Sequence, residues 1–101
     1  MAELQIRVPY TAWGDGEEWE TGYVELMNDL STAVKDAGLG TDGDADHFDE
    51  FICFYLIGSN VRDLASAARE VLVRHNLRGV ATGFLTNPDA EDGQVGTPVA
   101  L

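Results

Sequence analysis

Phe51-Ile52-Cys53-Phe54-Tyr55-Leu56-Ile57, stopped by Gly58, is the longest uninterrupted apolar run in this 101-residue chain. A membrane helix needs about 20 such residues, so the run is far too short to span a bilayer. Its aromatic and β-branched content predicts a central β-strand buried on both sides. Successive side chains of a strand point to opposite faces. Phe51, Cys53, Tyr55 and Ile57 therefore share one face, and Ile52, Phe54 and Leu56 the other. Each face needs a cover.

Reading outward from this strand, Ser59 or Asn60 is placed to cap a helix whose apolar positions are Val61, Leu64, Ala65, Ala68, Val71, Leu72 and His75. Gly79 returns the chain to extended form, and Val80 to Thr86 reads as a strand. Asn87-Pro88-Asp89 then reads as a turn, and Gln94 to Ala100 as a returning edge strand. Upstream, Tyr23, Leu26, Met27, Leu30, Ala33, Val34 and Ala37 recur at three- and four-residue steps, which predicts a helix that Gly38 ends. Asp15, with Glu18 three residues on, and Thr21 are the rival starts; Gly22 weakens the first turns. Leu4, Ile6 and Val8 alternate with polar residues as in a strand with one buried face, and Pro9 limits that strand's pairing. The acidic stretch Leu39 to Glu50 carries only a short edge strand near 41–46. The order β-α-β-β-α-β, with an added C-terminal strand, predicts an α+β domain of ferredoxin-like type, with two helices on one face of an antiparallel sheet. Its length suits one domain spanning residues 1–101.

The net charge is −12, and it is unevenly spread. Residues 15–50 hold twelve acids against Lys35 alone, whereas residues 51–78 hold four arginines against Asp63 and Glu70. Such a field repels phosphates, so direct nucleic-acid binding is excluded and a basic protein partner is the natural complement. The N-terminus lacks a basic-then-apolar leader pattern, and the expectation is a cytoplasmic protein with no membrane contact. Cys53 is the sole cysteine, and within an apolar strand it reads as a small buried hydrophobe.

No catalytic constellation emerges. Gly38-Leu39-Gly40-Thr41-Asp42-Gly43 has the letters of a dinucleotide loop, but it follows a helix where the motif requires a strand, and its aspartates oppose a pyrophosphate. Asp42-Gly43-Asp44-Ala45-Asp46 resembles the first half of a calcium loop. Its second half fails, with His47 at the glycine position and Cys53 where a bidentate Glu is needed. His47, His75 and Cys53 match no zinc spacing. His75 is placed to close the core edge or meet the last carbonyls of its helix, and His47 to pair with neighbouring carboxylates. The expectation is a non-enzymatic chain without a cofactor.

One regularity points to function. Glu18, Glu25, Asp29 and Asp36 are spaced 7, 4 and 7 residues apart. At about 100° per residue they fall within about 20° of one line, a row about 27 Å long if the helix covers all four. Together with Asp42, Asp44, Asp46, Asp49 and Glu50 this row reads as a docking ridge for a basic protein surface. A solvated face kept acidic for solubility is the plainer reading. The far face of strand 51–57 is a second candidate, to be covered by the C-terminal strand, by a second copy of the chain in a homodimer, or by a partner. The alternatives to a binding module are a ferredoxin-like domain that takes a small ligand or divalent metal, and a structural homodimer.

Asp42-Gly43-Asp44 through Asp49-Glu50, followed by Phe54-Tyr55-Leu56-Ile57-Gly58, Asn60 and Leu64, resembles a motif of small uncharacterised bacterial and phage proteins with a ferredoxin-like domain. The resemblance covers about a quarter of the chain and implies no catalytic residues. In size and charge the chain is also similar to toxin-neutralising immunity proteins and phage-encoded inhibitors, which implies a toxin, nuclease or other nucleic-acid-handling protein as partner.

Overall fold

The computed structural model describes residues 2–14, 16–43, 45–86, 97–99 and 101. In chain order these form β1 (Ala2–Pro9), a 3-10 turn (Tyr10–Trp13), α1 (Trp19–Asp36), β2 (Gly40–Asp42), β3 (Asp46–His47), β4 (Phe51–Gly58), α2 (Val61–Arg74), β5 (Thr82–Thr86) and β6 (Thr97–Val99). The result is a mixed α+β structure with two helices and one antiparallel sheet. The strands lie in the order β2-β4-β1-β5-β6, with β3 also paired to β4. The turn at 87–89 and residues 94–96 and 100 of the expected C-terminal strand lie outside the described residues, as does Asp15, one of the two expected helix caps.

The apolar run is a central strand, as its composition predicts. It pairs antiparallel with β1 in a register that sets Leu4 beside Leu56, Ile6 beside Phe54 and Val8 beside Ile52. All six side chains are buried, and α1 and α2 cover them with Leu26, Leu30 and Val34 from one helix and Leu64, Ala68, Val71 and Leu72 from the other. Leu77, after α2, completes this core.

Helix ends follow local chemistry. The Asn60 side chain accepts a hydrogen bond from the Asp63 amide at 3.2 Å, so Asn60 rather than Ser59 caps α2. At the end of α1, Gly38 takes φ +67° while its N–H bonds Lys35 O and the Leu39 N–H bonds Val34 O at 2.9 Å, a Schellman stop. The α1 helix starts at Trp19, between the two expected starts. Gly22 sits where the Trp13 ring lies against the helix, and a Cβ there would collide with the indole. The sequence marks a turn from Trp13 to Gly16, and the 3-10 turn that delivers Trp13 begins earlier, at Tyr10. The edge strand expected near 41–46 is two short pieces, β2 and β3, on the same neighbour. Gly40 opposes Gly58 there, and a side chain at Gly40 would overlap the Ile57 carbonyl.

The far face of the sheet is closed at its centre by its own side chains. Cys53 and Tyr55 are buried, and Gln5 between them is only 1% exposed. The Arg7 guanidinium lies over the rings of Phe51, at 5.1 Å, and Phe84, at 4.7 Å, and donates to Gln5 Oε1 at 3.3 Å. The aliphatic and planar parts of a long cationic side chain can shield apolar surface in this way. Tyr55 donates its hydroxyl to Asp46 Oδ2 at 2.6 Å. Less apolar surface is left open here than strict alternation in β4 suggests.

Burial raises the Cys53 thiol pKa, so the thiolate is disfavoured. In the native protein Cys53 is expected to resist a thiol-specific reagent and to react fully after unfolding; fast native labelling would show the far face to be open. In the helix-side core, Leu30→Ala is expected to cost about 2–5 kcal/mol in urea unfolding.

Candidate functional site

The expected carboxylates do not form one continuous ridge. Glu18 is the N-cap of α1 and Glu25 is exposed on its surface, while Asp29 and Asp36 turn toward α2. Asp42 lies across the helix from them, beside Ser31 and Lys35. Residue 31 is two positions from Asp29, about 200° around the helix, so Asp42 is on the opposite flank from Asp29. Asp46 is on the far sheet face with Tyr55, and Asp49 and Glu50 are exposed in the turn between β3 and β4. Asp44 lies outside the described residues.

Three of these acids have partners within the fold. Asp29 Oδ2 is 2.6 Å from Nε2 of His75, the C-cap of α2, and this contact ties the two helices together. The expectation for His75 was a terminal carbonyl or the core edge, and its ring finds a carboxylate of the other helix. Asp42 accepts from Ser31 Oγ at 2.9 Å and pairs with Lys35 at 3.3 Å. Partial burial raises its pKa, but the hydrogen bonds from Ser31 and Lys35 outweigh that and leave the carboxyl below its ordinary value. Tyr55, bonded to Asp46, has its hydroxyl pKa pushed well up, first by burial and then by that bond. His47 meets aromatic rings, standing edge-on to Tyr23 at 4.9 Å, and so differs from the expected ion-pair partner.

What the helices do create is a groove. Ala33 of α1 and Ala67 of α2 pack at the boundary of the core, and side chains this small leave the solvent side between the helices open. The open space is about 650 Å³. Asp29 and Asp36 line it from α1, and Asp63, Glu70 and Arg74 from α2. With Asp29 held by His75, the carboxylates of Asp36, Asp63 and Glu70 face a single guanidinium, which leaves an excess of negative charge in one concavity. The contribution of α2 was not anticipated, because that segment is basic in sum. Its signal was available, since Asp63 and Glu70 are seven apart, as Asp29 and Asp36 are, and seven residues return a helix to nearly the same side.

Among the described residues no group of three or more His, Cys, Asp or Glu is placed to hold a metal ion. Nor is any described helix long and apolar enough to cross a membrane. No family model matches the chain, no curated protein matches it, and no solved structure matches it. The resemblance carried by residues 42–64 thus rests on those residues alone.

A depressed carboxyl contributes stability that is present above its unfolded pKa, about 3.9 for Asp, and is lost as pH falls through the folded value. Ser31→Ala is therefore expected to cost about 1 kcal/mol in urea unfolding at neutral pH. The difference from the parent protein should shrink below about pH 4. A difference that stays constant through the acid range would assign the effect to something other than Asp42.

Proposed function

We propose that this chain is a non-enzymatic, cytoplasmic binding module, immunity- or inhibitor-like, that docks on a basic surface of a protein partner such as a toxin, a nuclease or another nucleic-acid-handling protein. The observation that carries this reading is the groove between α1 and α2, where the carboxylates of Asp36, Asp63 and Glu70, drawn from both helices, outnumber the one guanidinium of Arg74. Lysine or arginine side chains entering it meet carboxylates on two sides. A field of this sign also steers basic partners during encounter.

The strand order supports a ferredoxin-like arrangement within the same proposal. Taken as one interrupted strand, β2 and β3 pair with β4, β4 pairs with β1, and β1 with β5, all antiparallel. This order follows from two β-α-β units interleaved in one sheet, with β6 added at the edge. Such a scaffold serves many functions, so the groove and not the fold bears the functional argument.

The test is capture from native lysate on the immobilised protein at low and high salt, with identification of what is bound. A variant carrying Asp36→Asn, Asp63→Asn and Glu70→Gln, which leaves the Asp29–His75 contact in place, runs in parallel. The expected result is a basic protein that is retained at low salt, released at high salt because exposed charges are then screened, and lost by the variant. Equal retention of the same protein by the variant would remove the groove from the account.

A further inference from the structure

A second concavity lies at the other end of α1. It measures about 600 Å³ and is bounded by the 3-10 turn, the loop that leads into α1, the first residue of that helix, and the end of β3 with the turn beyond it. Three aromatic rings and an imidazole face it: Tyr10, Trp19, Phe48 and His47. We propose that this cavity receives a cationic side chain, the guanidinium or ammonium group of an Arg or Lys on the basic protein partner. The inference rests on the reading of the chain as a binder of basic proteins and deepens it by naming an anchor point.

The rings form corners. Tyr10 and Trp19 stand 4.9 Å apart at 69°, and Trp19 and His47 stand 6.1 Å apart at 66°. A cation in such a corner lies over a ring face, where the quadrupole is negative. The walls are held in place. The Tyr10 hydroxyl donates to the Phe48 carbonyl at 2.7 Å and the Tyr10 amide to the Glu50 carbonyl at 3.3 Å, while Phe48 stacks on Phe51 at 4.9 Å. Tyr23 backs the site, stacked on Trp19 and edge-on to His47.

Charge complements the rings. Asp49 lines the cavity and lies close enough to Tyr10 that its charge, after burial, raises the phenol's pKa. Gly14 and Gly16 also form part of the wall, and the Glu18 carboxylate lies beside them. A Cβ on Gly16 would come within 2.6 Å of Glu18 Oε2, and one on Gly14 within 3.6 Å. The amino end of α1 is nearby, and its dipole alone favours an anion. Glu18 at the cap and Glu20 in the first turn counter it with full charges. Aromatic walls with Asp49 among them and Glu18 beside the wall glycines fit a cation that brings some apolar surface with it, as the side chains of Arg and Lys do.

The experiment titrates the full chain with N-acetyl-arginine amide and follows the Trp19 indole N–H and the Tyr10 and Phe48 ring signals by NMR. N-acetyl-norleucine amide and N-acetyl-glutamate amide serve as apolar and anionic probes of similar size. Saturable shifts at the cavity residues are expected with the arginine probe and not with the other two. Trp19→Leu should weaken binding about 2- to 5-fold, the size of a cation–π contact at an exposed site. Asp49→Asn and Glu18→Gln, both at exposed positions, should each weaken it by roughly 2- to 5-fold without disturbing the fold. Absence of a saturable shift, equal binding of norleucine amide, or tighter binding of glutamate amide would each overturn the proposal. A negative result here, beside partner capture that still depends on the groove carboxylates, sinks the anchor and leaves the binding function standing. Binding of the arginine probe beside groove-independent capture does the reverse.

Discussion

The antiparallel pairing of β1 with β4 is the constraint on which the rest of the structure depends. Its register places Leu4, Ile6 and Val8 beside Leu56, Phe54 and Ile52 on a single face, and the hydrophobic stripes of both helices close over them. A slip of one residue in β1 would turn Gln5 and Arg7 toward the helices and leave Leu4, Ile6 and Val8 outside. Because both helices must cover the same narrow strip of sheet, they lie side by side. The groove between them is thus a by-product of core packing. His75 and Asp29 fasten one end of that arrangement, where the C-cap of α2 meets the middle of α1.

Electrostatics then separates two kinds of acidic residue. Asp29, Asp42 and Asp46 each meet a hydrogen-bonding partner inside the fold and so contribute to structure. Asp36, Asp63 and Glu70 line the groove, and Asp49 and Glu18 stand at the aromatic cavity. A chain carrying a net charge of −12 works against its own self-repulsion. Part of that charge is concentrated in concavities, and under the proposed function a partner's cations would compensate it in both the groove and the cavity.

Much of the scaffold was legible because it rests on periodicity. The apolar run at 51–57, the alternation in β1 and the stripes of α1 and α2 each specify an element and its buried side. The site was legible only in part. The heptad spacing of Asp29 and Asp36 marked a real flank of α1, but a linear charge count cannot show that β2 brings Asp42 to the other flank. Nor could it show that α2, basic in sum, turns Asp63 and Glu70 to the same groove. The aromatic cavity was invisible for a similar reason. Tyr10, Trp19, His47 and Phe48 come from three separate segments, and the 3-10 turn that positions Tyr10 carries no propensity signal. Likewise, Arg7 reads as the polar side of a strand, and only the sheet reveals that it lies between Phe51 and Phe84.

The claim at the centre of this account is that negative potential is gathered in the two concavities, above all between the helices, and not spread over the surface. Amide chemical-shift mapping with a short lysine homopolymer tests it directly. The account predicts saturable, salt-sensitive shifts at residues 29–36 of α1 and 63–74 of α2, and at the aromatic cavity around Trp19 and Asp49, with the exposed carboxylates elsewhere contributing little. Shifts scattered around the molecule wherever an acid occurs would contradict it.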